Sequence, residues 1–332
     1  MAMIRRRFVN IVGETYTTGV GVYSLHRLDV SECLFYPSTA QAKASAAAAG
    51  DESQRIETVQ DLPSSWFRIP PAPTVERYRC MMPIFGRISS CSRESRILCI
   101  DKAGYTLVAD AGDNADGVVY KSMPTLRHDK GFNPILISIA APDAWCQQLE
   151  EGIALPPPPF VEEPWYDTYE PVHICSHAVV DGGRIICVSF DGGGGTYCFD
   201  TVQRAWRQVG DWMLPFEGGA EHDPDLNLLV GFSDENPNHL FLTSELSGKP
   251  MDQEPPELRH IWLQGFVAPE NWLPMSFRLI NLGSGRFCIA KLFRARNSPL
   301  ESDCYYSYPD VEWDAAVLIG VEVYRGSQGP RC

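Results

Sequence analysis

The sequence predicts an all-β fold built from repeated antiparallel sheets. Short segments rich in β-branched and aromatic residues recur along the whole chain, among them "GRIICVSF", "RFCIAKLF" and "AAVLIGVEVYR". Such segments of about five to ten residues are typical of β-strands. Polar, glycine-containing breaks such as "VDGGR" and "LGSGR" separate them and suit hairpin turns. Convincing helical patterns are almost absent, so the strands must supply the core.

Composition bounds the class of protein. The 332 residues are 44% hydrophobic and carry a net charge of −14, with 28 basic against 42 acidic side chains. This is enough apolar surface for one large domain or two smaller ones. The acidic balance argues against a surface that neutralises nucleic-acid phosphates. No apolar run reaches the roughly 18 residues that span a bilayer, so neither nucleic acid nor membrane is expected as a partner.

The cysteines indicate a reducing compartment. Eleven are present, spread from Cys33 to Cys332 without clustered spacing, and several lie inside apolar runs. An odd, dispersed set predicts buried thiols rather than a disulfide framework. We therefore expect a cytoplasmic or nuclear protein. Arg5, Arg6 and Arg7 leave a mitochondrial transit peptide as an alternative, although the alternation that follows suits a strand better than a targeting helix.

The segment "IICVSFDGGGGTYCFDTVQRAW" defines the sheet type. Ile185–Phe190 is a predicted strand, Gly192 to Gly195 form the break, and Thr196 to Phe199 form the next strand. Six residues separate Phe199 from Trp206. This spacing is typical of the kelch repeat, in which a hydrophobic run is followed by a glycine doublet, an aromatic residue and a tryptophan. The unit of that repeat is a four-stranded propeller blade. In such a blade, the aromatic side chains fill the space between neighbouring blades.

Further segments at comparable spacing complete the predicted propeller. Residues 89–124, 218–246 and 277–297 each supply two or three hairpin-linked strands. We expect six blades of about four antiparallel strands over residues 65–326, with five or seven left open. The strand from Phe8 to Val12, in N-terminal residues 1–35, could complete the last blade beside Val317 to Tyr324. Residues 327–332 are a short tail.

One segment departs from the strand pattern. Residues 36–64 are alanine-rich and then charged, with little large apolar surface. We expect a mobile insertion or a short surface helix from about Thr39 to Ala49. Two proline-rich stretches, 155–171 and 249–258, are expected to be stiff crossings between sheets.

The chain resembles a known family. "GVYSLHRLDVSECLFYPSTAQAKA", "YCFDTVQRAWRQVGDWMLPF" and "LINLGSGRFCIAKLF" look like the large family of uncharacterised kelch-like proteins of rice and other grasses, a domain of unknown function. The resemblance covers most of the chain and implies a plant source, an intracellular protein and a propeller fold. It carries no catalytic residues. Members usually continue past the "GVEV" strand into another basic, aromatic strand, whereas this chain ends at "YRGSQGPRC".

Several residue sets invite a chemical interpretation. No Gly-Lys-Ser/Thr follows Gly192 to Gly195, and a strand rather than a helix comes next, so a phosphate loop is not expected. "SFDGGGGTY" is near the Asp-box turn of sialidase-type propellers but has an extra residue. His173, Cys175 and His177 share one strand face and could begin a metal site. Consecutive residues on that face are about 6–7 Å apart, which is awkward for joint tetrahedral coordination.

Acidic residues give no clear catalytic pair. Those of "EGGAEHDPDLN" are expected to form a turn before the strand from Leu226 to Val230, rather than an acid/base or cation site. The adjacent pairs Glu150/Glu151 and Glu162/Glu163 point to different sides, unlike a glycosidase pair. We assign no catalytic, cofactor-binding or metal-ligating residue and expect no cofactor. The titratable residues of the segment "EGGAEHDPDLN" are Glu217, Glu221, His222, Asp223 and Asp225.

Two functional hypotheses follow. The first is a non-enzymatic scaffold whose loops bind another protein, since rigid blades present variable loops on one face. No F-box helices precede the repeats, so a role in degradation would need a further protein. The second is an enzyme or small-ligand receptor that uses the axial channel, with or without a metal. The sequence favours the first hypothesis on fold-level analogy.

Overall fold

The protein is all-β, as predicted. The computed structural model describes residues 6–17, 20–38, 40–42, 44–45, 62–65, 67–69, 84–87, 96–100, 104–110, 119–125, 135, 156–159, 173–190, 194–233, 239–244, 258–263, 268–296, 312–326 and 329–331. The strands are β1 Phe8–Thr17, β2 Val20–Asp29, β3 Phe67–Ile69, β4 Ile84–Arg87, β5 Arg96–Ile100, β6 Thr106–Asp110, β7 Val119–Met123, β8 Ile174–Val180, β9 Ile185–Phe190, β10 Thr196–Asp200, β11 Ala205–Gly210, β12 Glu217–Asp223, β13 Leu228–Phe232, β14 His239–Ser244, β15 Leu258–Leu263, β16 Trp272–Gly283, β17 Arg286–Arg296, β18 Glu312–Glu322, β19 Tyr324–Gly326 and β20 Gly329–Arg331.

Helical structure is slight. The helix α1 is one turn long, Val30–Cys33, and Asp29 caps it by accepting a hydrogen bond from the Ser31 amide. Residues 40–42 and 44–45 of the alanine-rich segment are also helical. No helix among the described residues has the length and hydropathy needed to cross a membrane.

The strands form antiparallel meanders. Strands β4 to β7 make one four-stranded sheet in chain order. Strands β8 to β11 and β12 to β15 each make an antiparallel four-stranded meander, and the parallel pair β8–β12 joins the two meanders edge to edge. Strands β16 to β18 form a three-stranded sheet of long strands. A four-stranded antiparallel meander, repeated along the chain, is the unit of a β-propeller. The predicted blade of about four antiparallel strands is therefore confirmed in three sheets.

The first strands of three consecutive sheets run side by side in one direction. Strands β8 and β12 pair in parallel, with His177 opposite Gly219. The ends of β12 and β16 meet, because Asn281 Nδ2 donates to the His222 carbonyl oxygen at 2.8 Å. The positive charge of Arg278, three residues before Asn281 on β16, also acts on His177 of β8. This side-by-side arrangement of innermost strands is what a radial array of blades requires.

Core clusters join the described sheets one after another. One cluster, which includes Ala178 and Leu229, joins β8–β11 to β12–β15, and a second, with Val230 and Phe287, joins β12–β15 to β16–β18. Two further clusters place the β1–β3 sheet between β16–β18 and β4–β7. Residues 126–172, which would link β4–β7 to β8–β11, lie almost wholly outside the described residues. The number of six blades therefore stays a prediction.

The N-terminal strands pack against the β16–β18 sheet, but β1 does not pair with β18 as predicted. Strand β1 pairs with β2, from Phe8 opposite Asp29 to Thr17 opposite Val20, whereas β18 pairs with β17. Phe8 to Val12 therefore does not complete the last blade beside β18. The N-terminal segment nevertheless lies beside the β16–β18 sheet, since the Arg6 amide donates to the Leu282 carbonyl oxygen at 3.0 Å. Val9 and Leu282 are buried in one cluster.

The C-terminal residues also differ from expectation. Strands β19 and β20 pair with each other, so residues expected to be a plain tail belong to a small hairpin. The strand-like segment "PILISIAA", residues 134–141, lies outside the described residues apart from Ile135. Most of the two proline-rich stretches lies outside them as well.

Two turns at one end of the sheets share a design. The Asp200 carboxylate accepts hydrogen bonds from the Val202 and Gln203 amides, and Arg204 follows with a φ of 55°. The Asp223 carboxylate accepts equivalent bonds from the amides of residues 225 and 226, and Asn227 follows with a φ of 48°. In both turns the aspartate carboxylate accepts hydrogen bonds from two backbone amides, in place of an acceptor on a neighbouring strand.

Candidate functional site

The described end of the glycine run, Gly194 and Gly195, is a packed corner. Gly194 and Gly195 are buried between β9 and β10, and a Cβ on Gly194 would lie 1.8 Å from the Phe190 ring. Gly195 has a φ of 82°, and a Cβ there would strike the Gly210 carbonyl oxygen. The space beside these glycines is therefore filled by protein atoms. Residues 191–193 lie outside the described part.

Trp206 packs on a face of its own sheet, and its predicted position between blades stays a prediction. It lies directly across from Phe199 on β10, and the two ring centroids are 5.0 Å apart. The half-buried indole packs on the Val188 and Phe190 cluster, on the sheet face away from β12–β15. Its Nε1–H donates to the Pro156 carbonyl oxygen at 2.9 Å, which ties residues 156–159 to this face.

The strand face that carries Cys175 and His177 does not form a metal site. Cys175 Sγ donates to the Ser189 carbonyl oxygen, whereas His173 is exposed just before β8. Among the described residues, no three His, Cys, Asp or Glu side chains come together as ligands.

The acidic segment is a strand, which corrects the predicted turn. Residues 217–223 form β12, the first strand of its sheet, and the turn begins only at Pro224. Asp223 is fully buried, and besides its own turn it accepts a hydrogen bond from the Gly285 amide at 2.8 Å. It thereby links β12–β15 to the neighbouring β16–β18 sheet. The Gly218–Gly219 pair conceals this strand, because glycine has low β-propensity.

Where β8, β12 and β16 adjoin, the structure brings together polar side chains that are far apart in sequence. The His177 ring lies over Gly219, where an added Cβ would be 2.9 Å from Nε2. Arg278 is exposed, and its Nη1 donates to the Phe277 carbonyl oxygen at 2.9 Å. Glu221 follows Gly219 by two residues on the same strand face. We call His177, Glu221 and Arg278 the axial cluster.

Burial and neighbouring charges shift two pKa values in the axial cluster. Burial, with a smaller contribution from the positive charge of Arg278, lowers the pKa of His177 to about 4. Burial raises the pKa of Glu221, while the charge of Arg6 opposes that change. Buried groups resist ionisation unless a partner compensates them. The imidazole is consequently neutral at pH 7, and its Nδ1 is buried without a hydrogen-bond partner among the described residues.

The described cysteines have no activating surroundings. All six are free thiols, and burial raises the pKa of Cys99 and of Cys288 to about 12. The pKa of Cys187 is also raised, first by its hydrogen bond with Cys198 across the strand pair and then by burial. A thiol that stays protonated is a poor nucleophile.

Exposed apolar side chains surround the start of the first strands. Ile174 is the first residue of β8, and Met275 lies near the start of β16. These side chains are 36% and 51% exposed. Met213, 41% exposed, lies in the link that leads into β12. We call Ile174, Met213 and Met275 the apolar collar.

Comparison with known proteins identifies the family. The family described as "Protein of unknown function (DUF1668)" matches residues 6–144 and 140–332, so the chain belongs to it. No curated protein matches the sequence. This match confirms the prediction that the chain belongs to an uncharacterised family, which is a domain of unknown function.

Solved structures give weak similarities. The β-propeller domain of Cps50 (Swd1) from Myceliophteria thermophila is 6% identical with a TM-score of 0.22, and the alignment covers 61% of this chain and 52% of that chain. A luciferin-regenerating enzyme is 9% identical with a TM-score of 0.27, covering 96% and 80%. The chain spans about half the length of the Cps50 structure. The fold assignment rests on the strand pairing itself, and these similarities add nothing about activity.

Proposed function

We propose that the chain is a non-enzymatic, kelch-like interaction propeller of grasses that binds another protein through the apolar collar. The observation that carries this proposal is the exposure of Ile174, Met213 and Met275 at one end of three adjoining sheets. Exposed apolar side chains gathered at one place are typical of interaction sites.

The composition of the collar suits protein recognition. Methionine is enriched at interfaces, and its flexible thioether adapts to the shape of a partner. Rigid sheets hold the collar in place, so binding does not require the protein to order a loop. The buried thiols and the packed glycine corner offer no nucleophile or phosphate cradle there.

Affinity capture with matched variants tests the proposal. The variant Met213→Glu/Met275→Glu places two charges on the collar without touching the core. The control is Val202→Glu, because Val202 is 71% exposed in the β10–β11 turn at the opposite end of the sheets. Each tagged protein is incubated with an extract of grass tissue, the source that the resemblance implies, and bound proteins are identified by mass spectrometry.

We expect a reproducible partner that wild type and Val202→Glu retain and that the collar variant loses. The purified partner should then bind wild type at least about tenfold more tightly than the collar variant, which corresponds to about 1.4 kcal/mol. Equal binding by all three proteins would contradict a role for the collar. Thermal unfolding of each variant shows that a loss is not caused by misfolding.

A further inference from the structure

We propose that Cys33 and Cys288 are a redox modification site, at which a disulfide fastens the N-terminal segment to the β16–β18 sheet under oxidising conditions. Cys33 ends the one-turn helix α1, and Cys288 lies near the start of β17. Both are thiols in the structure. This inference concerns the redox state of the chain and is independent of the proposed binding to another protein.

A contact between their neighbours places Cys33 beside Cys288. Cys288 lies directly opposite Gly320 across β17 and β18, so the Cβ positions of this pair point to the same face of the sheet. On that face, a Cβ on Gly320 would be 2.5 Å from the Leu34 carbonyl oxygen and 3.2 Å from the Leu34 Cβ. Cys33 precedes Leu34 in the chain. The two cysteines are thus the immediate neighbours, along the chain and across the strands, of two residues in direct contact.

Core packing holds the two segments together. Cys288 is fully buried in the cluster that contains Val30, the first residue of α1, and Leu34 packs against this cluster. The Cys33 thiol lies at the rim, where it is exposed and donates to the Asp29 carbonyl oxygen at 3.1 Å. Burial, with a contribution from the charge of Cys33, raises the pKa of Cys288 to about 12. An exposed thiol next to a buried one is the arrangement in which the first can be attacked from solvent and the second can resolve it.

Thiol–disulfide exchange with glutathione disulfide forms the bond in two steps. The Cys33 thiol loses its proton, and its sulfur attacks one glutathione sulfur, which breaks the glutathione disulfide, leaves a mixed disulfide on Cys33 and releases one glutathione thiolate. Cys288 then loses its proton, attacks the Cys33 sulfur and releases the second glutathione thiolate. The two thiolates take up the two protons, so two cysteine thiols are oxidised and one glutathione disulfide is reduced. The raised pKa of Cys288 makes the second step the slower one.

The bond should stabilise the folded chain. It closes a loop from residue 33 to residue 288, which is most of the 332-residue chain. In the chain-entropy account, a disulfide that closes a long loop restricts the unfolded state most. In the reducing compartment expected for this chain, both thiols persist until an oxidant is present. Oxidation should therefore raise the temperature of unfolding.

Peptide mapping of the oxidised protein tests the bond. The folded, full-length protein is incubated with glutathione disulfide at about pH 8, near the ordinary pKa of a thiol. Remaining thiols are blocked with iodoacetamide, and unreduced peptides are identified by mass spectrometry. Cys33→Ser removes the attacking thiol. Cys175→Ser is the matched control, because Cys175 lies on β8 and its Sγ donates to the Ser189 carbonyl oxygen.

We expect a peptide that links Cys33 to Cys288 in wild type and in Cys175→Ser. Oxidised wild type should unfold at least about 3 °C above the reduced protein, and this difference should disappear in Cys33→Ser. The inference is overturned if Cys33 remains a mixed disulfide with glutathione, or if it is linked mainly to a different cysteine. Recovery of both residues as blocked thiols would overturn it as well.

Discussion

Single residues show most clearly what sequence reasoning can and cannot reach. Trp206 was predicted to have a structural role from its spacing to Phe199, and the two rings do pack across one strand pair. His177 and Arg278 could not be connected, because about a hundred residues separate them and only the packing of β8, β12 and β16 brings the charge of Arg278 close enough to act on His177. Asp223 was expected in a turn but ends β12, and its bond to the Gly285 amide depends on a neighbouring sheet.

His177 should make stability depend on pH. Its pKa is about 4 in the folded protein and near 6.5 unfolded, so the unfolded state binds the proton first as pH falls. The free energy of unfolding therefore decreases as pH falls from about 6.5 to 4, by at most about 3 kcal/mol. Denaturant unfolding of wild type and His177→Gln in chloride buffers measures the difference. A difference that stays constant over this range would contradict the assignment.

Asp223 should be more important for stability than its counterpart Asp200. Asp223→Ala leaves three amides of two sheets without their acceptor, and we expect a loss of about 3 kcal/mol. Asp200→Ala disrupts the same kind of turn at a less buried position and should cost about 1 kcal/mol. Urea unfolding of both variants provides the comparison, and equal losses would argue against the link between sheets.

At the scale of elements, strands were predictable where β-branched residues mark them and missed where they do not. Strands β9, β10, β13 and β17 have such runs, whereas β12 contains Gly218 and Gly219 and was taken for a turn. Strand β15, Leu258–Leu263, follows a proline-rich stretch and was not predicted as a strand. Glycine in β12 is explained by the close approach of His177, a contact between strands that local sequence does not show.

The Trp206 contact tests how β8–β11 packs against the chain that precedes it. Trp206→Ala removes the ring from the Val188 and Phe190 cluster and should cost about 3 kcal/mol. Trp206→Phe keeps an aromatic ring and loses the bond to the Pro156 carbonyl oxygen, at about 1 kcal/mol. Calorimetric unfolding distinguishes the two variants. A fully stable alanine variant would contradict the packing of Trp206.

At the scale of the whole molecule, the order of the sheets brings the functional residues together. The apolar collar and the axial cluster both depend on first strands that lie around one axis, which is the central claim. The N-terminal sheet links the C-terminal β16–β18 sheet to β4–β7, through the cluster shared by Val9 and Leu282 and through a second cluster with Ile97. The sequence pattern predicted repeated sheets, but the pairing of β1 with β2 rather than β18 depends on long-range packing.

A double-mutant cycle at this contact tests the claim most directly. Val9→Ala, Leu282→Ala and the double variant are unfolded in urea, with Val9→Ala/Leu229→Ala as the control pair from separate clusters. We predict a coupling energy of about 0.5–2 kcal/mol for Val9 with Leu282, and additivity within about 0.5 kcal/mol for the control. Additive losses of unfolding free energy at Val9 and Leu282 would contradict the packing of the N-terminal sheet against β16–β18.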